Sequence, residues 1–553
     1  MEKLREHCDQ RLRAMKSVRA DYVAEWNDIA RFAQPARSRF LGSDQNKGTK
    51  RRIRNNKLFD PHGIEAFRTL TNGMTSGLTS ASRPWKVLKM ANEELNALPG
   101  VRTWLAECDK AIDAFLARTN FYGAAKAGYG EMGLFGTEAC VMVEHWFHGA
   151  VCHSLTAGEY WIALSDALVP DTLARECTMT ARQIVQTFKS KTPQLIMDAY
   201  KGNRGDETFT YFNLIEPNPS HNPMRIGSKA WRSVYWWDGD AADAIIDVRG
   251  YDEQPFWAPR WDVVGGDTYG VSPGMECLPA LRELQMQAKR RNEAIDRLVK
   301  PEMLAKQGVR LTGQPGNVIS VGQAMDQYSA MPAYQMPYQA VDAISQEIEK
   351  CRLQIDGLSF ADLFNAITNM RGIQPRNMEE IASRNEEKLT QLGPVVERAS
   401  NEKLQVVIDR TFGIMSRGRL LPPAPDSLAE MPGAEIGVEF VPILAQMQRA
   451  VGIGQLERAV GFVGNVAGAK PQVLDNIDED EITREYFERL GVTGKALRDK
   501  NAVDEIRAQR AQQQQMEQAA AMMPAAKDGA DAARLLSETR AGGVPVLDTM
   551  LGA

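Results

Sequence analysis

Each set of residues in this chain that resembles a catalytic motif lacks one part of it. Gly270-Val271-Ser272-Pro273-Gly274 has the spacing of a G-x-S-x-G nucleophile elbow. Such an elbow uses the backbone N–H of the residue after serine in its oxyanion hole. Here that residue is Pro273, which has no N–H. A turn into the following helix is the better reading, with a serine hydrolase using Ser272 as the alternative. Gly265 and Gly270 have Walker-A spacing, but Val271-Ser272 follow where a Lys-Ser/Thr pair must hold phosphate and magnesium. No G-x-G-x-x-G follows a strand pattern. A motor ATPase and a nucleotide-binding fold are therefore excluded.

Glu144, His145, His148, Cys152 and His153 are dense in metal-ligand types. Zinc sites add a second ligand pair at set spacing, and none follows, so a surface hairpin is expected and no metal or cofactor. Asp475 to Glu481 is acidic enough for a calcium loop but lacks the glycine at its sixth position and the glutamate at its twelfth. Acids at the dipole-positive start of a helix explain it. Lys289, Arg290, Arg291, Arg297 and Lys300 are interspersed with Glu283, Glu293 and Asp296. They form either a solvated, salt-bridged face or a wall facing phosphates. Arg371 lies in a short polar loop between two helices, where contact residues concentrate.

The elements that would carry these residues are mostly helices. Leu4, Leu12, Met15, Tyr22, Trp26 and Ile29 fall on one side of an amphipathic helix over 1–34, followed by a basic loop over 35–57. Residues 60–80 and 101–135 are again helical in period. Between 139 and 261 the pattern changes to short strand-like runs, so the first half is α+β. Helices are predicted over 279–301 and 339–360 around a small β element that includes a hairpin within 308–322. The longest pattern runs from Gln374 to Pro425. Asn377 and Glu380 form a capping-box start, Gly418 and Pro422-Pro423 form the stop, and Gly393-Pro394 forms a bend. A helix of about 40 residues is roughly 60 Å long, wider than an ordinary domain. The tail, with four glutamines at 512–515, reads as a fraying helix.

The chain has 553 residues, 66 basic and 71 acidic, with a net charge of −5. A protein that coats nucleic acid is usually basic, so any DNA contact here is local or transient. Seven scattered cysteines without C-x-x-C spacing suit a reducing compartment. MEKLREHCDQ is charged, unlike a signal peptide, and no apolar run approaches 18 residues. No membrane partner is expected.

Several segments, in this order, resemble the portal proteins, or head-to-tail connectors, of short-tailed bacteriophages. They include residues 59–90, 119–144, 169–188 and 269–285, then Asn377, Glu380, Ile381, Arg384, Glu387 and Lys388 on the family's long-helix pattern, and 440–450, 471–480 and 506–515. Asn377 replaces the family's usual threonine, and both cap helices. The resemblance implies an α+β, mainly helical portal fold: a wing over 1–278, stem helices at 279–301 and 339–362, and a clip at 302–338. A tunnel loop at 363–376 precedes a long kinked wing helix with a return strand at 377–440, and a crown or barrel at 441–553.

The resemblance also implies a non-enzymatic twelve-subunit ring at one capsid vertex, in the virion, assembled in the host cytoplasm. Double-stranded DNA would pass through it, pumped by the terminase large subunit, retained, and later ejected. The tail adaptor, major capsid protein and scaffolding protein are the other implied partners. DNA-facing residues would be Asn365, Asn369, Arg371, Gln374 and Arg376 with the stem basics. Lys306, Arg310, Gln314 and Asn317 would serve docking at the clip. Twelve copies would carry roughly −60, a field that repels DNA and suits a low-friction tube. A capsid-internal or scaffolding helical protein without a channel is the competing reading.

Overall fold

A computed structural model describes residues 2–37, 58–90, 99–225, 227–237, 245–300, 337–368, 386–425 and 436–440, with shorter stretches at 303–305, 330–332, 453–467 and beyond. The described part is mixed helix and sheet. It divides into two units, Met1–Gly454 and Gln455–Ala553.

In the first unit, α1 (Glu2–Ala33) carries the predicted apolar side. Leu12, Met15, Trp26 and Ile29 are buried on it. Cys8, Leu12 and Met15 pack on one face of a five-stranded antiparallel sheet. Its order is β4 (Tyr160–Leu164), β5 (Pro170–Thr180), β6 (Thr208–Pro217), β7 (Trp231–Trp237) and β8 (Ile245–Tyr251). Strand side chains alternate between faces. Phe212, Leu214, Val234 and Trp236 therefore face α1. Tyr211, Tyr235 and Ile246 face α5 (Ala181–Phe188) and α6 (Gln194–Lys201) on the other side.

A larger core joins α1 to α2 (His62–Leu78), α3 (Pro99–Arg118) and α4 (Phe121–Phe135). It continues into the three-stranded sheet β3-β2-β9 (Gly149–Leu155, Ala139–His145, Phe256–Trp257). Gly136 ends α4 at φ 78, where an added Cβ would lie 1.8 Å from the Gly270 carbonyl oxygen. Only glycine fits that crossing. β1 (Lys86–Met90) pairs antiparallel with β12 (Ile436–Phe440).

Two long helices leave this core and return. α7 spans Pro273–Val299, so it begins before the 279–301 expected from sequence. Ser272 caps it and Pro273 takes the first helical position, where no N–H is missed. Pro279, expected as the boundary, lies inside. α8 (Tyr338–Leu358) runs back antiparallel, since Cys277 near the start of α7 meets Ile355 near the end of α8. Between them β10 (Met303–Ala305) pairs with β11 (Ala330–Pro332). The hairpin expected within 308–322 lies outside the described residues.

Two further expectations need correction. The second helix stops at Leu358 rather than 362, and Phe360 at φ 56 breaks the chain direction. The segment expected as a loop from 363 then opens as a helix, α9 (Ala361–Thr368), because Leu363 and Phe364 bury themselves in the core. The long helix is described from Glu386, and its assignment continues through Pro394 as α10 (Glu386–Ala399). Its irregularity is a π turn at Ser400–Leu404, followed by α11 (Gln405–Arg417). α12 spans Ile453–Ala467. In the second unit, the amide N–H groups of Asp480 and Glu481 donate to Asp478, the helix start expected of the acidic run.

Candidate channel face and the clamp on the long helix

The basic residues of α7 occupy its outer half. Lys289, Arg290, Arg297 and Lys300 are exposed, and Arg291 is half-buried. At 100° per residue, Lys289, Arg290, Arg297 and Lys300 share the face opposite the one that packs on the core. Lys289 reaches Glu293 one turn on, at 3.6 Å. Arg290, Arg297 and Lys300 have no ion-pair partner among the described residues. The face is thus a row of cations with an acid between them, held by a helix whose other side is in the core.

Asn365 is exposed on α9. Asn369, Arg371, Gln374, Arg376, Asn377 and Glu380 lie outside the described residues, as do Lys306, Arg310, Gln314 and Asn317. Gly393 and Pro394 lie inside α10, with Pro394 exposed and Leu392, Val395 and Val396 buried. The Pro394 ring therefore lies on the outer side of the helix.

The catalytic and metal candidates are occupied by structural bonds. The Ser272 hydroxyl donates to the Leu134 carbonyl at 2.8 Å and accepts from the Met275 N–H at 3.2 Å. Glu144 accepts from Arg410 and Arg417. His145 and His148 sit at the β2–β3 hairpin tip beside Trp146, which is 91% exposed. Among the described residues no three potential ligands converge on a metal position.

A row of ion pairs clamps α10, the π turn and α11 to the α+β core. Arg398 donates to the Trp261 carbonyl at 2.6 Å. Glu402 takes the Arg260 guanidinium at 2.7 Å and its backbone N–H at 3.0 Å. Arg260 also donates to the carbonyls of Leu168 and Asp267, tying two surface loops to the same point. Lys403 meets Glu138 at 2.7 Å with neither side chain exposed, and its ammonium lies 3.6 Å from the centre of the Tyr129 ring. The Trp257 indole N–H donates to the second Glu138 oxygen at 2.8 Å. Gly128 lets that carboxylate in, since a Cβ there would lie 2.0 Å from it. Arg410, also buried, reaches Glu253 at 2.8 Å and Glu144 at 3.2 Å.

Burial alone would lower the pKa of Lys403. The Glu138 charge and hydrogen bond, with Tyr129 nearby, outweigh it and raise the value. The ammonium is therefore charged throughout the neutral range.

Sequence reasoning missed this clamp. One signal was available: Lys403 and Arg410 fall on the stripe that includes Val396, Ala399, Val407 and Ile414, where a helix normally buries apolar groups. Charges at such positions imply buried partners, although the stripe does not say which.

The family model of the bacteriophage head to tail connecting protein matches residues 5–497. The portal protein of Salmonella phage epsilon15 is 34% identical over 540 residues, 96% of this chain and 95% of that protein. The probable portal protein of Bordetella phage BPP-1 is 35% identical over 529 residues, 94% of this chain and 93% of that protein. Among solved structures, a native gene transfer agent virion aligns at a TM-score of 0.33 and 12% identity, covering 76% of this chain and 92% of its own, too distant to argue from. Matched along nearly its whole length in sequence, the chain belongs to the bacteriophage head-to-tail connecting protein family.

Proposed function

We propose that this chain is the portal subunit of a short-tailed phage. Twelve copies form a ring at one capsid vertex. Duplex DNA enters through the ring under the action of a terminase, is retained, and leaves through it at ejection. The observation that carries this reading is the match to two portal proteins over more than nine-tenths of the chain.

Physical features support it. The α7–α8 hairpin leaves Val299 and Leu353 more than 70% exposed. Apolar side chains standing out like this are what a neighbouring copy would cover. A contact between two different patches, repeated by rotation, closes into a ring. In this assignment α7 and α8 are the stem, the expected clip at 302–338 lies between them, and the core is the wing. Residues 369–385 continue from α9 as the tunnel segment, with Arg371 near the DNA, and 441–553 form the crown. The cations on α7 then give weak, repeated phosphate contacts, while the net charge of −5 per chain keeps DNA from binding tightly. Terminase and then the tail adaptor dock at the clip, and capsid and scaffolding proteins meet the wing. The role is structural rather than enzymatic, and assembly takes place in the host cytoplasm.

Native mass measurement of the purified protein tests the ring. A particle of about 740 kDa is expected for twelve copies of a 61.4-kDa chain. A monomer at every concentration and ionic strength would count against it.

A further inference from the structure

The π turn at Ser400–Leu404 presents two adjacent side chains, Glu402 and Lys403, to two different buried partners. Neighbouring residues on an α-helix point about 100° apart, so a regular turn serves one core-facing position at a time. A π turn holds one extra residue and re-aims its side chains, which is why such turns recur at functional positions. Here the widened turn sends Lys403 between Glu138 and the Tyr129 ring, and Glu402 onto Arg260.

Stability alone is a poor explanation for the Lys403–Glu138 pair. Desolvating two charges offsets most of their attraction, and apolar replacements of similar size are often as stable. The best-attested use of a buried polar pair is to fix register. The long helix has a register problem. Leu392, Val395, Val396, Ala399, Leu404, Val407 and Ile408 are similar in kind and all buried. An aliphatic stripe can slip against a core with modest loss, whereas a slip that carried Lys403 off Glu138 would leave two buried charges unpaired.

We propose that Lys403, with Glu138, is a positioning residue. The pair pins the rotation and register of the long helix at the π turn, so that the chain enters α10 at Glu386 from a fixed place and angle. In the portal reading, on which the functional meaning of this inference rests, that place is where the tunnel segment joins the rigid arm. Glu402 and Arg260 brace the pin and tie it to the 165–169 and 262–267 loops.

The test is the double variant Glu138→Gln/Lys403→Met, which removes both charges. Glu138→Gln keeps an oxygen for the Trp257 N–H. Register is read by a short bifunctional maleimide between Asp262→Cys and either Arg398→Cys or Glu397→Cys. Six of the seven native cysteines are buried, so the background is low. With Lys403 and Glu138 in place, Asp262→Cys joins Arg398→Cys, whose native side chain reaches Asp262 at 3.4 Å, about tenfold faster than Glu397→Cys, which points about 100° away. In the double variant that preference falls to about threefold or less, while the thermal midpoint stays within about 5 °C and the oligomer still forms. A preference that stays near tenfold overturns the inference. So does a midpoint that falls by about 15 °C, which would make the pair a source of stability rather than position. Failure of the native protein to form rings would instead sink the portal reading, and the cross-linking result would still decide whether the pair sets register.

Discussion

Lys403 and Glu138 lie 265 residues apart in the chain, and each is the other's only charged hydrogen-bond partner among the described residues. Removing one alone leaves an uncompensated buried charge, at about 3–5 kcal/mol. Lys403→Ala should therefore lower the urea midpoint far more than the charge-free double variant does, and equal losses in the two would contradict this account of the pair. Asp247 offers a pH test elsewhere, on β8 of the five-stranded sheet. Burial raises its pKa, but hydrogen bonds from Lys191 at 2.5 Å and Arg249 at 2.7 Å, with their charges, prevail and hold it below the usual carboxylate range. A depressed carboxylate contributes stability that is present above its unfolded value, about 3.9, and is lost as pH falls through its folded one. The stability gap between wild type and Asp247→Asn should be widest near neutrality and close as pH falls below about 3.9. A gap that does not change with pH would show that the carboxylate charge is not what matters. Neither the Lys403–Glu138 nor the Lys191–Asp247 pairing was legible in sequence, because pairing across 265 or 56 residues is decided by which surfaces the fold brings together.

The helices were legible where one face repeats. Leu12, Met15, Trp26 and Ile29 mark α1 correctly because they share a side at helical spacing. Boundaries were less legible. Pro279 reads as a start signal, yet Ser272-Pro273 makes a better one, with a hydroxyl cap and a proline at the first position. Pro394 does not end the helix, and the hydrogen-bond pattern changes instead at Ser400, where no sequence signal for a π turn exists. β5 was hidden for another reason. Pro170–Thr180 is rich in polar residues, and its Arg175 is buried because Nε donates to Asn213 Oδ1 at 3.1 Å. A strand covered on both faces would be expected to show as an apolar run, and this one instead pairs its polar groups internally. Two predictions belong at this scale. Reversing charge on the α7 face, Arg290→Glu with Arg297→Glu, should leave ring assembly intact and reduce packaged DNA several-fold, as measured by nuclease protection, because phosphate contacts add by count. Arg371→Ala should likewise keep the ring and alter packaging or retention. Loss of the ring in that variant would make residue 371 structural.

At the scale of the whole molecule, the order of parts was legible before any single part was secure. Helix, sheet, antiparallel helical pair and long helix follow one another along the chain. The long arm is joined to the core by the Arg398, Glu402, Lys403 and Arg410 contacts, not by apolar packing alone. Under the proposed portal role, that arrangement suits a part that transmits position between a DNA channel and a capsid-facing rim. The contacts between copies are the least legible level, since a single chain shows only the surfaces left open. Electron microscopy of the purified protein addresses them most directly. Closed twelve-fold rings with a central channel wide enough for duplex DNA are the predicted image, with the α7–α8 hairpins lining that channel. Isolated monomers or open filaments under all conditions would contradict the portal assignment.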